Sequence, residues 1–180
     1  MATPEILSLL CAGSVRYHAG LGGRANALLT RAEIAGLLAG LPVEARDLAL
    51  AKYAGCVDSE RLLIARVRTW AAGVAVKEQW DIERGKPVLC NLSALAVFEV
   101  VRPNRCGTCK GTGYKGVRIC PTCNGAGMGK LAGVAIAAAC ELSAMEFSRH
   151  WRGRYELVYR HVADMDGQIG RVLRAVAESA

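Results

Sequence analysis

A cysteine-rich stretch from Cys106 to Gly127, CGTCKGTGYKGVRICPTCNGAG, most constrains how this chain can fold. It contains two C-x-x-C knuckles, each followed by one residue and then by G-x-G, with a short basic hairpin between them. Four thiolates arranged in this way can surround one ion tetrahedrally, because Zn–S bonds of about 2.3 Å require the four sulfurs to converge. The spacing therefore predicts one Zn²⁺ ion with four protein ligands: Cys106, Cys109, Cys120 and Cys123.

The cysteines leave a covalent alternative open, since the same four residues could form two disulfides or remain free thiols. The other cysteines lie in helical contexts and are expected to be small buried side chains in a reducing compartment: Cys11, Cys56, Cys90 and Cys140. No apolar run reaches the roughly 18 residues that span a bilayer, and the N-terminus lacks the basic region of a signal peptide. We therefore expect a cytoplasmic protein with no membrane partner.

The composition predicts a mainly α fold, because 52% of the residues are hydrophobic, Ala and Leu are frequent, and only 6% are aromatic. Residues 1–101 are expected to form a helical N-terminal body. Residues 102–129 are expected to form a four-cysteine zinc module, inserted as a knuckle hairpin. Residues 130–180 are expected to form a helix-turn-helix-like region followed by a C-terminal helix.

Capping and helix-breaking residues predict the limits of the helices in the body. Helix starts are predicted at Thr3–Glu5, Thr30–Glu33, Pro42 and Asp58. Asp81–Pro87 is predicted to break the chain, and Val88–Val101 to resume it as an apolar helix. The predicted core residues of the helix after Asp58 are Leu62, Leu63, Val67, Trp70, Val74 and Val76.

The positive charge of the chain is concentrated in its middle. Residues 102–160 contain 10 Lys and Arg against 3 Asp and Glu, a net charge of +7, whereas residues 1–101 have +1 and residues 161–180 have −1. A cationic cluster of this kind is typical of proteins that bind a polyanion such as nucleic acid. A solvated basic surface without a ligand is the alternative.

Residues 130–151 predict two short helices with a tight turn between them. An Ala-rich helix is expected to end near Ala139, and the sequence from Ser143 to Glu146 is a capping box that starts a second helix. This arrangement is a candidate helix-turn-helix, whose second helix would present Ser148, Arg149 and Arg152 to duplex DNA. An ordinary helical hairpin with a solvated basic face is the alternative.

The order of these motifs resembles the antitermination Q proteins of lambda-type phages. The resemblance covers roughly residues 88–180. It includes the helix LSALAVF before the first knuckle, the knuckles CGTCKGTG and CPTCNGAG, the Ala-rich helix, the segment FSRHWRGRYELVY and the final LRAVAES. The knuckles are also similar to the cysteine-rich region of DnaJ chaperones, which has four such repeats and accompanies a His-Pro-Asp triplet that this chain lacks.

The resemblance implies a specific function. Proteins of the Q family bind a DNA element that overlaps a late promoter, load onto bacterial RNA polymerase, with or without σ factor, and make it read through terminators. The chain is then expected to act in the cytoplasm of a bacterial host and to bind double-stranded DNA and RNA polymerase. The implied DNA contacts are Lys115, Arg118, Lys130, Ser148, Arg149, Arg152 and Arg154.

Two other function classes are alternatives. A zinc-dependent protein-interaction or DnaJ-like chaperone module would bind unfolded chains and ignore DNA. A thiol-disulfide enzyme would use one C-x-x-C pair, but the knuckles lack the strand-to-helix setting that lowers the pKa of a redox cysteine. The sequence has no carboxylate pair, nucleophile elbow or phosphate loop, so we expect that the protein is not an enzyme.

Overall fold

Helices form most of the part of the chain that the structure describes. The structure is a computed structural model, and it describes residue 36 and residues 38–179, without the side chains of 82–84, 86 and 176–179. The predicted helix starts at Thr3–Glu5 and Thr30–Glu33 lie outside the described residues. A small hairpin region with a cluster of four cysteines interrupts the helices, which confirms the predicted mainly α fold.

The next two helices begin close to their predicted starts, and the first of them ends at the predicted Gly55, while the second begins one residue before the predicted cap Asp58. Helix α1 spans Val43–Ala54, directly after Pro42, and ends at Gly55, which has the left-handed φ of 66° common at helix ends. Helix α2 spans Val57–Lys77 and has Asp58 and Glu60 in its first turn, where acidic side chains interact favourably with the helix dipole.

The buried stripe of α2 is narrower and smaller than predicted. Its residues recur every four positions and are at most 1% exposed: Leu63, Val67, Ala71 and Ala75. The prediction that Leu62 and Val76 are core residues was wrong, since they are 52% and 67% exposed. Helical phase decides burial here, so alanines in the stripe are buried while larger side chains beside it remain in solvent.

The predicted break at Asp81–Pro87 was also wrong, because helix α3 spans Ile82–Val101 and includes Pro87. Pro87 lies inside the helix, past its first turn, so its missing N–H removes one backbone hydrogen bond without ending the helix. Gly85 has a packing role instead of a breaking role, since a Cβ atom there would lie 2.7 Å from the Trp151 indole. A tertiary contact therefore explains a residue that locally resembles a helix breaker.

Two small antiparallel ribbons form the cysteine-containing region. Strands β1 (Asn104–Arg105) and β4 (Met128–Gly129) pair with each other, so the chain leaves α3 and returns at the same place. Strands β2 (Tyr114–Lys115) and β3 (Arg118–Ile119) form the hairpin between the knuckles. The cysteine-containing region is therefore an insertion between two helices, and its two ends are paired with each other.

A short helix and a turn precede the last long helix. Helix α4 spans Gly133–Ala139, and Glu141 then takes a left-handed φ of 57°. Helix α5 spans Ala144–Glu146, and the N–H of Glu146 donates to the Ser143 hydroxyl at 3.1 Å, which confirms Ser143 as the N-cap of the predicted second helix. The helix continues through a π-helical turn, Phe147–Trp151, into α6, which spans Arg152–Ser179.

The described residues group into two compact units. One unit comprises the residues up to 66 together with those from 161, and the other comprises residues 67–160. In the first unit, the Asp166 carboxylate accepts hydrogen bonds from the Lys52 ammonium at 2.7 Å and from the Tyr53 hydroxyl at 3.1 Å. The division predicted from sequence, 1–101, 102–129 and 130–180, follows motif and charge and stays a prediction.

Among the helices of the described part, none combines the length and the apolar character that crossing a bilayer requires.

Candidate metal centre

The two knuckles have the same backbone structure, repeated after 14 residues. The N–H of Cys106 donates to the Gly127 carbonyl at 2.9 Å, and the N–H of Cys120 donates to the Gly113 carbonyl at 2.8 Å. The first cysteine of each knuckle thus donates a hydrogen bond to the end of the other knuckle. These two reciprocal hydrogen bonds hold the cysteine pair of one knuckle next to the pair of the other.

This pairing brings the four cysteine sulfurs into one cluster. The Sγ atoms of Cys106 and Cys120 are 4.0 Å apart, those of Cys109 and Cys123 are 3.7 Å apart, and all four lie within 4.8 Å of one another. A tetrahedron with Zn–S bonds of about 2.3 Å has sulfur–sulfur edges of about 3.8 Å. The cluster could therefore hold one metal ion, and Cys106, Cys109 and Cys120 are buried.

The sulfur distances differ from those of the covalent alternative. A disulfide requires an S–S bond of about 2.05 Å, which is far shorter than either measured pair distance. All four cysteines are free thiols in the structure. The arrangement is a set of converging ligands and not a pair of cross-links.

Backbone N–H groups point at one sulfur of each knuckle. The N–H of Gly113 donates to Cys109 Sγ and the N–H of Gly127 donates to Cys123 Sγ, each at 3.3 Å. Burial raises the pKa of the Cys109 thiol, but the N–H groups of Gly113 and Gly111 outweigh it and lower that pKa to about 6. Burial raises the pKa of Cys123 to about 11. A bound cation would favour the thiolate form of Cys123 despite that raised pKa.

Gly113 provides a sharp test of this geometry. It has a φ of +79°, and a Cβ atom there would lie 2.5 Å from the Gly125 carbonyl oxygen. We expect Gly113→Ala to destabilise the cysteine region and to weaken metal binding. Backbone strain by itself should cost about 1–3 kcal/mol, and the clash with the Gly125 carbonyl adds to this cost. Gly107→Ala is the matched control, because its Cβ would meet no atom within 4 Å. Equal metal affinity of the two variants, measured by chelator competition, would contradict the expectation.

Comparison of the chain with known protein families, with characterised proteins and with solved structures finds no match. The geometry of the site must therefore be interpreted from its own residues.

The predicted DNA contacts of the cysteine region lie on its surface. Lys115 and Arg118 are exposed and face each other across the β2–β3 hairpin. Lys130 is exposed just after β4, with its ammonium 5.5 Å from the centre of the Tyr159 ring. The structure places these cations in the same compact unit as the helical candidates, residues 67–160.

The predicted contacts on the last helix divide into two groups. Ser148, Arg149 and Arg152 are exposed, and the first two belong to the π-helical turn. Arg154 is only partly exposed, because its guanidinium lies 4.6 Å from the ring centre of Trp151 and 5.1 Å from that of Trp80. Arg154 thus has a cation–π packing role that the sequence did not indicate.

Sequence reasoning also missed a buried carboxyl group beside the cysteine region. Glu99, in α3, is 4% exposed and accepts hydrogen bonds from the Leu131 N–H at 2.8 Å and from the Tyr155 hydroxyl. It lines a cavity of about 180 Å³, together with Lys130 and Arg152. An isolated acidic residue in the apolar sequence LSALAVFEVV was the available signal. Through these hydrogen bonds Glu99 connects α3, which precedes the cysteine region, with Leu131, which follows that region, and with Tyr155 in α6.

Proposed function

We propose that this protein is a phage transcription antitermination factor, which binds DNA at a late promoter and modifies RNA polymerase so that it reads through terminators. The observation that carries the proposal is the joint presence, in residues 67–160, of a four-cysteine cluster, exposed cations and a helix–turn–helix order of elements. The motif resemblance supplies the link to antitermination.

Zinc is the metal that we propose for the cluster. A tetrahedral set of four thiolates suits zinc or iron, and zinc is the usual ion where two C-x-x-C knuckles form a closed structural site. Four protein ligands leave no open position for substrate or water, so the ion would stabilise the fold and not catalyse a reaction. This agrees with a protein that is not an enzyme. Metal analysis distinguishes zinc from iron.

Electrostatics supports duplex DNA as the ligand. Arg149 and Arg152, on the last helix, and Lys115 and Arg118, on the hairpin, form no salt bridge within the described residues. Unpaired exposed cations remain available to phosphates, which supply most of the affinity of DNA-binding proteins. Ser148 and Lys130 add a hydroxyl donor and a further cation beside them.

The turn between α4 and α5 supports the helix-turn-helix interpretation. A glycine is common in such turns, and Glu141 stands there with the positive φ that glycine would otherwise provide. Ala137 and Phe147 are each 2% exposed, as the small and large core residues of the motif require. On this interpretation the host cytoplasm provides both partners, DNA and RNA polymerase.

A binding assay with short tiled duplexes tests the proposal. The tiles cover the DNA that flanks the protein's own gene, and each is titrated with zinc-loaded protein, with and without a chelator. We expect tight binding to one tile, a steep decrease with salt, and loss of binding when zinc is removed. Equal weak binding to all tiles at physiological salt would reject a specific regulator.

Arg149→Ala provides the residue-level test. If Arg149 contacts a base, the variant is expected to lose about 1–3 kcal/mol of binding free energy and to discriminate less between the cognate tile and variants at one position. Its melting temperature should stay unchanged, because the side chain is exposed. Arg160→Ala, another exposed arginine in the same unit, is the matched control. A lowered melting temperature in Arg149→Ala would assign it a structural role.

A zinc-dependent protein-interaction or DnaJ-like module is the second candidate. It is favoured by apolar side chains at the surface of the cysteine region, where Tyr114 is 56% and Met128 is 55% exposed. Such a module would capture an unfolded protein and prevent its aggregation, with no change when duplex DNA is added. The same zinc-loaded protein therefore separates the candidates in two assays.

A further inference from the structure

The geometry points to a specific docking mode for the hairpin of residues 114–119: its tip enters the minor groove of duplex DNA, with Val117 against the bases and Lys115 and Arg118 on the phosphates. The inference rests on the proposed function, because it requires that the protein binds DNA. It goes beyond that function by assigning a wedge residue and a groove.

The tip of the hairpin is a two-residue turn with one apolar side chain. Lys115 pairs with Arg118, so Gly116 and Val117 form the two-residue turn, and Val117 provides the only side chain there. Val117 is 99% exposed. The whole Val117 side chain is therefore accessible to a binding partner.

The two faces of the hairpin differ in chemistry. Cross-strand partners share a face and successive residues alternate, so Lys115 and Arg118 lie on one face and Tyr114 and Ile119 on the other. All four are exposed, with Tyr114 at 56% and Ile119 at 59%. One face is therefore cationic and the other apolar, with the apolar tip between them.

Charge complementarity selects a polyanion as the occupant. Between Glu99 and Glu141 the sequence contains no acidic residue, whereas residues 102–129 contain five Lys and Arg. Apart from the metal centre, the charged side chains of this stretch are thus all cationic, which favours an anionic ligand. Duplex DNA is the anionic ligand that the proposed function supplies.

The dimensions allow only the tip of the hairpin to enter the minor groove, and the apolar character of that tip is what favours this groove. That groove is about 6 Å wide, and paired strands are about 4.8 Å apart before side chains are added, so only the tip fits. Apolar side chains inserted there unstack a base step, as architectural DNA-binding proteins do with Leu, Ile or Phe. The groove walls are sugars and phosphates, which match the apolar and cationic faces.

The base of the hairpin is held firmly enough to act as a wedge. The Thr112 hydroxyl donates to the Tyr114 carbonyl at 2.9 Å and accepts from the Tyr114 N–H at 3.2 Å. On the other strand, Cys120 follows Ile119 directly and belongs to the cysteine cluster. The tip is therefore presented by a fixed support, and little ordering is required on binding.

Salt-dependent binding to a short A·T-rich duplex tests the proposal. Val117→Ser is expected to weaken binding about tenfold at every KCl concentration, because it removes apolar burial but no charge. Lys115→Ala is expected to reduce the slope of log affinity against log salt by about 0.9, the value for one lost phosphate contact. Val134→Ser and Lys77→Ala, which alter an exposed valine and an exposed lysine outside the hairpin, should bind as the native protein does.

Groove-specific competitors identify the groove. Netropsin, which occupies the A·T minor groove, is expected to lower the affinity of the native protein to that of Val117→Ser and to leave the variant unchanged. Native affinity in Val117→Ser, or an equal effect of netropsin on both proteins, would overturn the wedge. If Val117→Ser lost only RNA polymerase binding, the tip would belong to a protein interface and the proposal would fail. If the native protein bound no duplex, the proposed function would fail with it.

Discussion

Replacing Cys109 with serine is expected to abolish metal binding and to unfold the cysteine region. A serine oxygen is a poor substitute for a thiolate, and three ligands cannot close the tetrahedral shell around the ion. Metal binding and folding are coupled in such modules, because the unfolded chain has no preformed site. The reciprocal hydrogen bonds between the knuckles, from Cys106 to Gly127 and from Cys120 to Gly113, should be lost with the ion.

Two measurements check this prediction. Elemental analysis should find one metal ion per native chain and almost none per Cys109→Ser chain. Hydrogen exchange should show loss of protection at the backbone N–H groups of Cys106 and Cys120. Cys56→Ser is the control, since Cys56 lies outside the cluster. Retention of a full metal ion by Cys109→Ser would exclude a four-thiolate site.

Replacing Glu99 with alanine is expected to lower the free energy of unfolding by roughly 2–5 kcal/mol. The change removes the acceptor of two donors, the part-buried Leu131 N–H and the buried Tyr155 hydroxyl, and leaves a void in place of the carboxyl group. Urea unfolding measures the loss. Glu156→Ala is the control, because Glu156 lines the same cavity but is exposed, and we expect a change within about 0.5 kcal/mol.

The pH dependence of unfolding gives the same contact a second signature. Burial and the hydrogen bond to Glu99 raise the pKa of Tyr155 above its ordinary value. Since an unfolded tyrosine loses its proton near pH 10, the stability from this contact is complete below about pH 10 and decreases as the pH rises further. Tyr155→Phe should therefore lose stability less steeply above that pH. Identical slopes would show that Tyr155 is not held in its protonated form.

The four-cysteine cluster could be predicted from sequence because its geometry is local. Each C-x-x-C knuckle fixes two sulfurs within one turn of chain, and the second knuckle repeats the first. The N-cap at Ser143 was predictable for the same reason, since its donor and acceptor lie three residues apart. Features that depend on a few adjacent residues are visible before the fold is known.

Features that depend on distant residues were not visible. The predicted break at Asp81–Pro87 failed because Gly85 is required by the Trp151 indole, which is remote in sequence. The resemblance implies a DNA contact for Arg154, while its contacts with Trp80 and Trp151 arise only in the folded chain. Glu99 was overlooked because neither of its hydrogen-bond donors is near it in sequence.

Because β1 pairs with β4, the cysteine-containing segment could be removed from the chain without separating the residues on either side of it. Arg105 and Met128 are cross-strand neighbours, so the chain enters and leaves residues 106–127 through a single point. A two-residue Asn-Gly turn could join the two strands in place of the whole segment. Leu131, which donates to Glu99, lies outside the exchanged part and would keep its bond. We therefore expect that residues 106–127 can be replaced by such a turn while the hydrogen bond between Leu131 and Glu99 is kept.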